Sequence, residues 1–322
     1  MTKKEMIMNN LKIETSSLPP VRGRYTMNAP LGAVGWFRAG GVAEVLFKPA
    51  DLEDLQNFLG ACSKDIPITI LGVLSNTIIR DGGVGGVTIR LGREFAGVDI
   101  LEDGLVRAGA AGLDVNVSEL AAASGLTGLE FLCGVPGLIG GAIAMNAGAY
   151  GGEVKDVLVS AEFVDGDGNF QTLKPKDLSM TYRRGNIPEG WIATGAIFKS
   201  VGRDTPENIT AHMTAIREKR ASTQPIRSQT GGSTFANPKP EELAKCELPE
   251  GTKSWQLVDK VGGRGLKIGG AQMSELHANF MINTGGATGA DLENLGEEIR
   301  SRVLNNDGLN LHWEIKRIGS KV

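Results

Sequence analysis

The 322-residue chain is 41% hydrophobic and 22% charged, a balance ordinary for a globular protein of two or three domains. A net charge of −3 with no long basic run excludes the footprint of a nucleic-acid binder. Three cysteines (Cys62, Cys133, Cys246) without metal-ligand spacing predict reduced thiols in the cytoplasm, and 45 glycines predict tight turns and close backbone approach to a ligand.

Residues 1–20 predict an N-terminal tail ending at Pro19-Pro20. Its basic residues precede no uninterrupted apolar core or cleavage site, so a signal peptide is not expected. Asp51 is placed to cap a helix in which Leu52, Leu55, Phe58, Leu59 and Cys62 share one face. Strands at 66–71 and 87–91 flank GVLSNTIIRDGGVGG, so 21–92 reads as a small α/β unit with a glycine-rich, polar central loop. A second unit, 93–204, opens with a strand at 105–109 and a helix at 115–124. From 131 to 152 no residue is charged, long enough on paper to span a bilayer. Pro136, Asn146, repeated glycines and the acidic flanks Glu130 and Glu153 argue against membrane insertion. Strands at 157–164 and 170–173 flank Asp165-Gly166-Asp167-Gly168, a hairpin signal. As a calcium loop this run would put Lys176 at its twelfth position, where a glutamate is needed; no metal site is expected. Thr205-Pro206 opens a helix that buries Ile209, Met213 and Ile216 and ends in a basic turn at 217–220. It is taken as the start of a C-terminal domain, 205–322, with a Ser/Thr/Gly loop at 229–234, a strand at 278–283, a helix at 291–304 and a last strand at 311–318.

Two segments concentrate backbone N–H groups with little side-chain bulk. At the end of a strand, Gly72-Val-Leu-Ser-Asn76 with Arg80-Asp-Gly-Gly83 reads either as an ordinary loop or as a pyrophosphate cradle. Neither a G-x-G-x-x-G turn nor a P-loop is present, so a dinucleotide would need another fold. The stretch 128–151, uncharged after Glu130, reads either as tight packing or as a wall for a flat, mostly apolar ligand. Ser233 after two glycines reads first as a turn residue. Arg183 reads as a surface charge or a carboxylate grip. In the last strand Trp313 and Ile315 would share one face and Glu314 the other, toward water. His212, His277 and His312 are scattered and read as structural.

Taken together, GVLSNTIIRDGG, GLEFLCGVPGLIGGAIAMNAGAYGGEV, YRRG, TQPIRSQTGGSTFANP, IGGAQMSELHANFMIN and WEIKRIG resemble, in order, the UDP-N-acetylenolpyruvoylglucosamine reductases (MurB). The resemblance runs from about residue 20 to the end. The short interval between Arg183 and Ser233 is similar to the branch lacking an extra substrate-covering loop. It implies an α+β chain: a vanillyl-alcohol-oxidase-type FAD-binding fold of two α/β subdomains plus a C-terminal α+β substrate domain. It also implies non-covalent FAD, NADPH as reductant, and reduction of UDP-N-acetylglucosamine enolpyruvate to UDP-N-acetylmuramate by a cytoplasmic, bacterial monomer.

By the same resemblance, Ser233 is the proton donor, and Arg183 and Glu314 polarise the substrate carboxylate, Glu314 in protonated form or through a partner. Implied cofactor contacts are Gly72, Val73, Leu74, Ser75, Asn76, Asp81, Gly82, Gly134, Pro136, Gly137, Gly140, Gly141, Ala142, Asn146, Gly148, Ala149 and Tyr150. Implied substrate contacts are Tyr182, Arg183, Ser233, Asn237, Lys260 and Glu314. Leu74 stands where the family usually has glycine, Leu138 where it has Ser or Thr, Gly185 where serine is common and Ala236 where lysine is frequent. Two other readings stay open on the residues: a flavin oxidase of the same superfamily, and a nucleotide-sugar-binding module with a degenerate flavin site.

Overall fold

The computed structural model describes residues 13–322; the expectation of a tail falls outside them for residues 1–12. Strand β1 (Arg24–Ala29) runs antiparallel to β2 (Ala43–Lys48). Helix α1 (Leu52–Ala61) follows, with the Asp51 carboxylate accepting the Asp54 N–H as expected. Strands β3 (Ile68–Ile70), β4 (Thr77–Ile79) and β5 (Val84–Ile89) complete the first unit, whose sheet order is β1-β2-β5-β3. β5 pairs in parallel with β2 and β3 and is almost wholly buried, which is why its sequence is apolar without alternation. Leu55, Phe58 and Leu59 of α1 pack on Phe47, Val87 and Ile89. Ile13 and Leu18 join that core, and the Ile13 N–H donates to Glu44 Oε1 at 2.6 Å.

The middle unit contains β6 (Val98–Ile100), β7 (Leu105–Gly109), α2 (Asp114–Ala123), α3 (Ile139–Met145), β8 (Leu158–Val164), β9 (Phe170–Leu173) and β10 (Ile192–Lys199). Its antiparallel sheet has the order β9-β8-β10-β7-β6. The β8–β9 turn is closed by Asp165, which accepts from the N–H groups of Asp167 and Asn169 at 2.9 Å each. Among the described residues no cluster of three metal-ligating side chains occurs. The uncharged 131–152 stretch breaks into a short 3-10 turn, α3 and extended backbone. No helix among the described residues is long and apolar enough to cross a membrane.

Helix α4 (Pro206–Thr223) is capped by Thr205, and its last turn lies beyond the basic cluster at 217–220. Ile209, Met213 and Ile216 are its buried face, and they pack on Ala122 and Cys133. The helix expected to open the C-terminal domain therefore rests on the middle unit. The last unit holds β11 (Gln229–Thr230), α5 (Ser254–Lys260), β12 (Lys267–Ile268), β13 (Ala271–Met273), β14 (Met281–Asn283), α6 (Gly289–Asp307) and β15 (Lys316–Ile318). Its sheet order is β11-β14-β13-β12, and its core of Leu257, Met281, Leu295 and Ile299 also takes in Phe37 and Ile78 of the first unit.

In the last unit two expected strands are shorter in the structure. In 278–283 only β14 is regular, because the Asn279 side chain pairs with the Phe235 backbone, accepting its N–H and donating to its carbonyl. In 311–318 only β15 is regular, paired in parallel with β4. Before it, the Trp313 ring lies against Phe235 and its indole N–H donates to Glu297 at 2.8 Å. Gly296 makes room: a Cβ there would stand 2.0 Å from that ring.

Candidate active site

The backbone leaves β3 after Ile70 and turns through 72–76, one wall of a cleft of about 580 Å³. The 134–150 segment, the end of α4, the 231–233 loop, and Glu314 with Lys316 supply the other walls. Three non-glycine residues that line the cleft have left-handed backbone: Leu74 (φ 59°), Tyr150 (φ 52°) and Arg183 (φ 56°). Such conformations cost energy and persist where the surroundings over-determine them, often at functional sites.

The structure brings Arg183, Ser233 and Glu314 into this one cleft, together with Gly72, Val73, Leu74, Ser75, Asn76, Gly134, Pro136, Gly137, Gly141, Ala142, Gly148, Ala149 and Tyr150. Arg183 Nε lies 3.0 Å from Glu314 Oε1 in an ion contact, while its Nη1 donates to the Gly148 carbonyl at 2.9 Å. Glu314 does not face water as the strand pattern predicted: its side chain is 11% exposed. The reason is local, since the residue precedes the regular part of β15 and its N–H is drawn to the Thr234 carbonyl at 2.9 Å. Burial raises the Glu314 pKa above the ordinary carboxylate range, against the opposing pull of Arg183 and Lys316.

Seven expected contacts do not line the cleft. Asp81 is turned to the start of α6, where its two oxygens accept the N–H groups of Gly289 (2.7 Å) and Ala290 (2.8 Å). Gly82 lies beside Ser320, whose carbonyl oxygen a Cβ would approach to 2.7 Å, and Gly140 packs on Ala110. Asn146 is buried, bonding through its amide to Glu153, Lys155 and the Thr181 carbonyl. Tyr182 is 47% exposed beneath the Arg183 guanidinium, 5.3 Å from its ring centroid. Asn237 accepts the Ser254 N–H at 3.2 Å, and Lys260 pairs with Asp307.

Other cleft residues carried no signal in the sequence. Asp114 opens α2, is 0% exposed, and has no hydrogen-bond partner for either carboxylate oxygen; burial alone pushes its pKa well up. Lys219 and Arg220 come from the end of α4, where they read only as a favourable charge at a helix C-terminus. Burial lowers the Arg220 pKa and raises that of Tyr150. Phe280 and Lys316 also line the cleft, as does Leu138, which the sequence had marked as a departure from the family pattern.

A flat dinucleotide fits these walls. Gly141 leaves open space where any Cβ would stand, and a Cβ on Gly137 would lie 3.1 Å from Asp114 Oδ2 and 3.6 Å from Ser75 Oγ. The wall is thus thinned to bare backbone beside polar atoms, with Lys219, Arg220 and Lys316 supplying positive charge for an anionic ligand.

Residues 43–174 match the family model described as an FAD binding domain, and residues 224–318 match the C-terminal domain of UDP-N-acetylenolpyruvoylglucosamine reductase. The chain is 52% identical over 303 residues to the UDP-N-acetylenolpyruvoylglucosamine reductase of Paramagnetospirillum magneticum, covering 94% of each protein. It is 53% identical over 302 residues to that of Parvibaculum lavamentivorans, covering 94% of this chain and 93% of the relative. Among solved structures, the reductase (MurB) of Thermus caldophilus superposes with a TM-score of 0.76 at 31% identity, over 93% of this chain and all of that one.

Proposed function

Since the chain belongs to the UDP-N-acetylenolpyruvoylglucosamine reductase (MurB) family, we propose that Arg183, Ser233 and Glu314 carry the reaction in the cleft described above. The protein is an FAD-dependent oxidoreductase. It reduces UDP-N-acetylglucosamine enolpyruvate to UDP-N-acetylmuramate with NADPH, in peptidoglycan precursor synthesis. Its fold is the α+β, vanillyl-alcohol-oxidase-type FAD-binding fold with a C-terminal substrate domain. Membership removes the oxidase and binding-module readings.

The bound flavin supplies hydride chemistry; the residues of the chain supply charge and a proton. Ser75 and the 72–76 backbone, Gly137 and Gly141 would hold the cofactor. An enol ether accepts hydride poorly until its carboxylate can take up charge, so donors aimed at that carboxylate stabilise the transition state more than the ground state. Arg183 is one such donor, and Glu314 in its protonated form is another. The Ser233 hydroxyl then gives its proton to the carbanionic carbon, an acceptor basic enough for so weak an acid. The observation that carries this reading is the contact of Arg183 with a buried Glu314 in the cleft that also holds Ser233.

The test is anaerobic stopped-flow in two half-reactions: bleaching of the oxidised protein by NADPH, then recolouring by the enolpyruvate substrate. Ser233→Ala is expected to slow recolouring by about 10²–10³ or more while bleaching proceeds. A Ser233→Ala protein that recolours as fast as its parent would sink the assignment. We also assign the chain a monomeric, cytoplasmic existence, which its free thiols suit. A sedimentation mass of two chains would overturn the monomer.

A further inference from the structure

Asn76 ends the 72–76 loop, yet its side chain is turned toward the segment that carries Glu314. Its Nδ2 donates to the Glu314 carbonyl at 3.2 Å, and the Asn76 backbone carbonyl accepts the Lys316 N–H at 3.0 Å. On the other flank the Glu314 N–H donates to Thr234, the residue after Ser233, and the Thr234 N–H is anchored on the Asn279 carbonyl at 2.7 Å. Regular pairing of β15 with β4 begins only at Lys316, opposite Thr77. Ladder bonds therefore do not hold Glu314; the Thr234 carbonyl holds its N–H, and a side chain from the cofactor loop holds its carbonyl. Asn76 Oδ1 is buried without a partner, and a Cβ on Gly232 would lie 3.2 Å from it, so the amide is enclosed between the two loops that carry the chemistry.

We propose that Asn76 is a positioning residue that couples the 72–76 cofactor loop to Glu314, holding the Glu314 backbone so that its carboxyl meets Arg183. This rests on the role given to Glu314 above. Any displacement of the loop is transmitted to the 314–316 backbone through two hydrogen bonds, and a misplacement of about 1 Å at a reacting group can cost about 10² in rate.

The test uses FAD-loaded protein in the same two half-reactions, because Glu314 serves only the substrate half. Asn76→Ala is expected to slow recolouring at least about ten-fold more than it slows bleaching, and to shift the pH profile of recolouring. Asn76→Asp keeps the shape and removes the donor, so it carries the same test if the alanine variant folds poorly. Equal slowing of the two phases with an unmoved pH profile, or loss of flavin from both variants, would make Asn76 a cofactor ligand alone and overturn the proposal. Glu314→Gln, run alongside, separates the claims. If it recolours at the parent rate, the role of Glu314 falls and this proposal with it. If it is slowed and Asn76→Ala is not, only the coupling falls.

Discussion

Leu74 shows how a residue that breaks a local rule is retained. Its left-handed backbone (φ 59°) costs a leucine about 1–2 kcal/mol relative to glycine. Its side chain, however, is buried among Leu31, Leu71 and Ile79, and emptying such a site typically costs about 3–5 kcal/mol. Packing wins over strain. Leu74→Gly, which restores the usual family residue, is therefore expected to destabilise the protein by about 2 kcal/mol in denaturant titrations. An unchanged or raised midpoint would show that strain is the larger effect. Gly185 is the opposite case: a Cβ there would stand 2.0 Å from the Ile143 carbonyl, so the serine common at this position has no room in this backbone.

At the level of the element, α2 begins with an acid that its dipole would normally favour. Asp114 is nevertheless buried without partners, and desolvation prevails, so its folded pKa lies well above the ordinary 3.8. The folded state then binds this proton more tightly than the unfolded chain. Stability is lost as pH rises from the unfolded value through the raised one. Asp114→Asn removes that loss. Its thermal midpoint should match the parent near pH 4, close to the ordinary value, and exceed it increasingly as pH rises toward the raised value. A difference that does not vary with pH would contradict a proton-retaining Asp114.

Across the whole molecule, the first unit and the last are joined through α6 and β15. Asp81 satisfies two orphan N–H groups at the start of α6, 208 residues away in sequence, and Arg80 pairs with Glu293 of the same helix at 2.9 Å. Asp81→Asn should cost about 1 kcal/mol, a fall of roughly 2 °C in thermal midpoint, without weakening FAD binding. Weakened flavin affinity at an unchanged midpoint would restore the cofactor role expected of Asp81 from its loop. The sequence by itself determined the family, the α1 and α4 caps and the β8–β9 turn, because caps, turns and family motifs are local and carry their meaning in a few neighbouring residues. It did not determine which positions of the glycine-rich motifs line the cleft. Asp81, Gly82, Gly140 and Asn146 belong to the same motifs as the cleft residues, yet hydrogen bonds or close packing draw them elsewhere. Only the tertiary structure turned Glu314 inward, buried Asp114, moved α4 onto the middle unit and set Asn76 against the Glu314 backbone. Each of these depends on partners far away in the chain, and burial and long-range pairing are properties of the packed whole that no local pattern encodes.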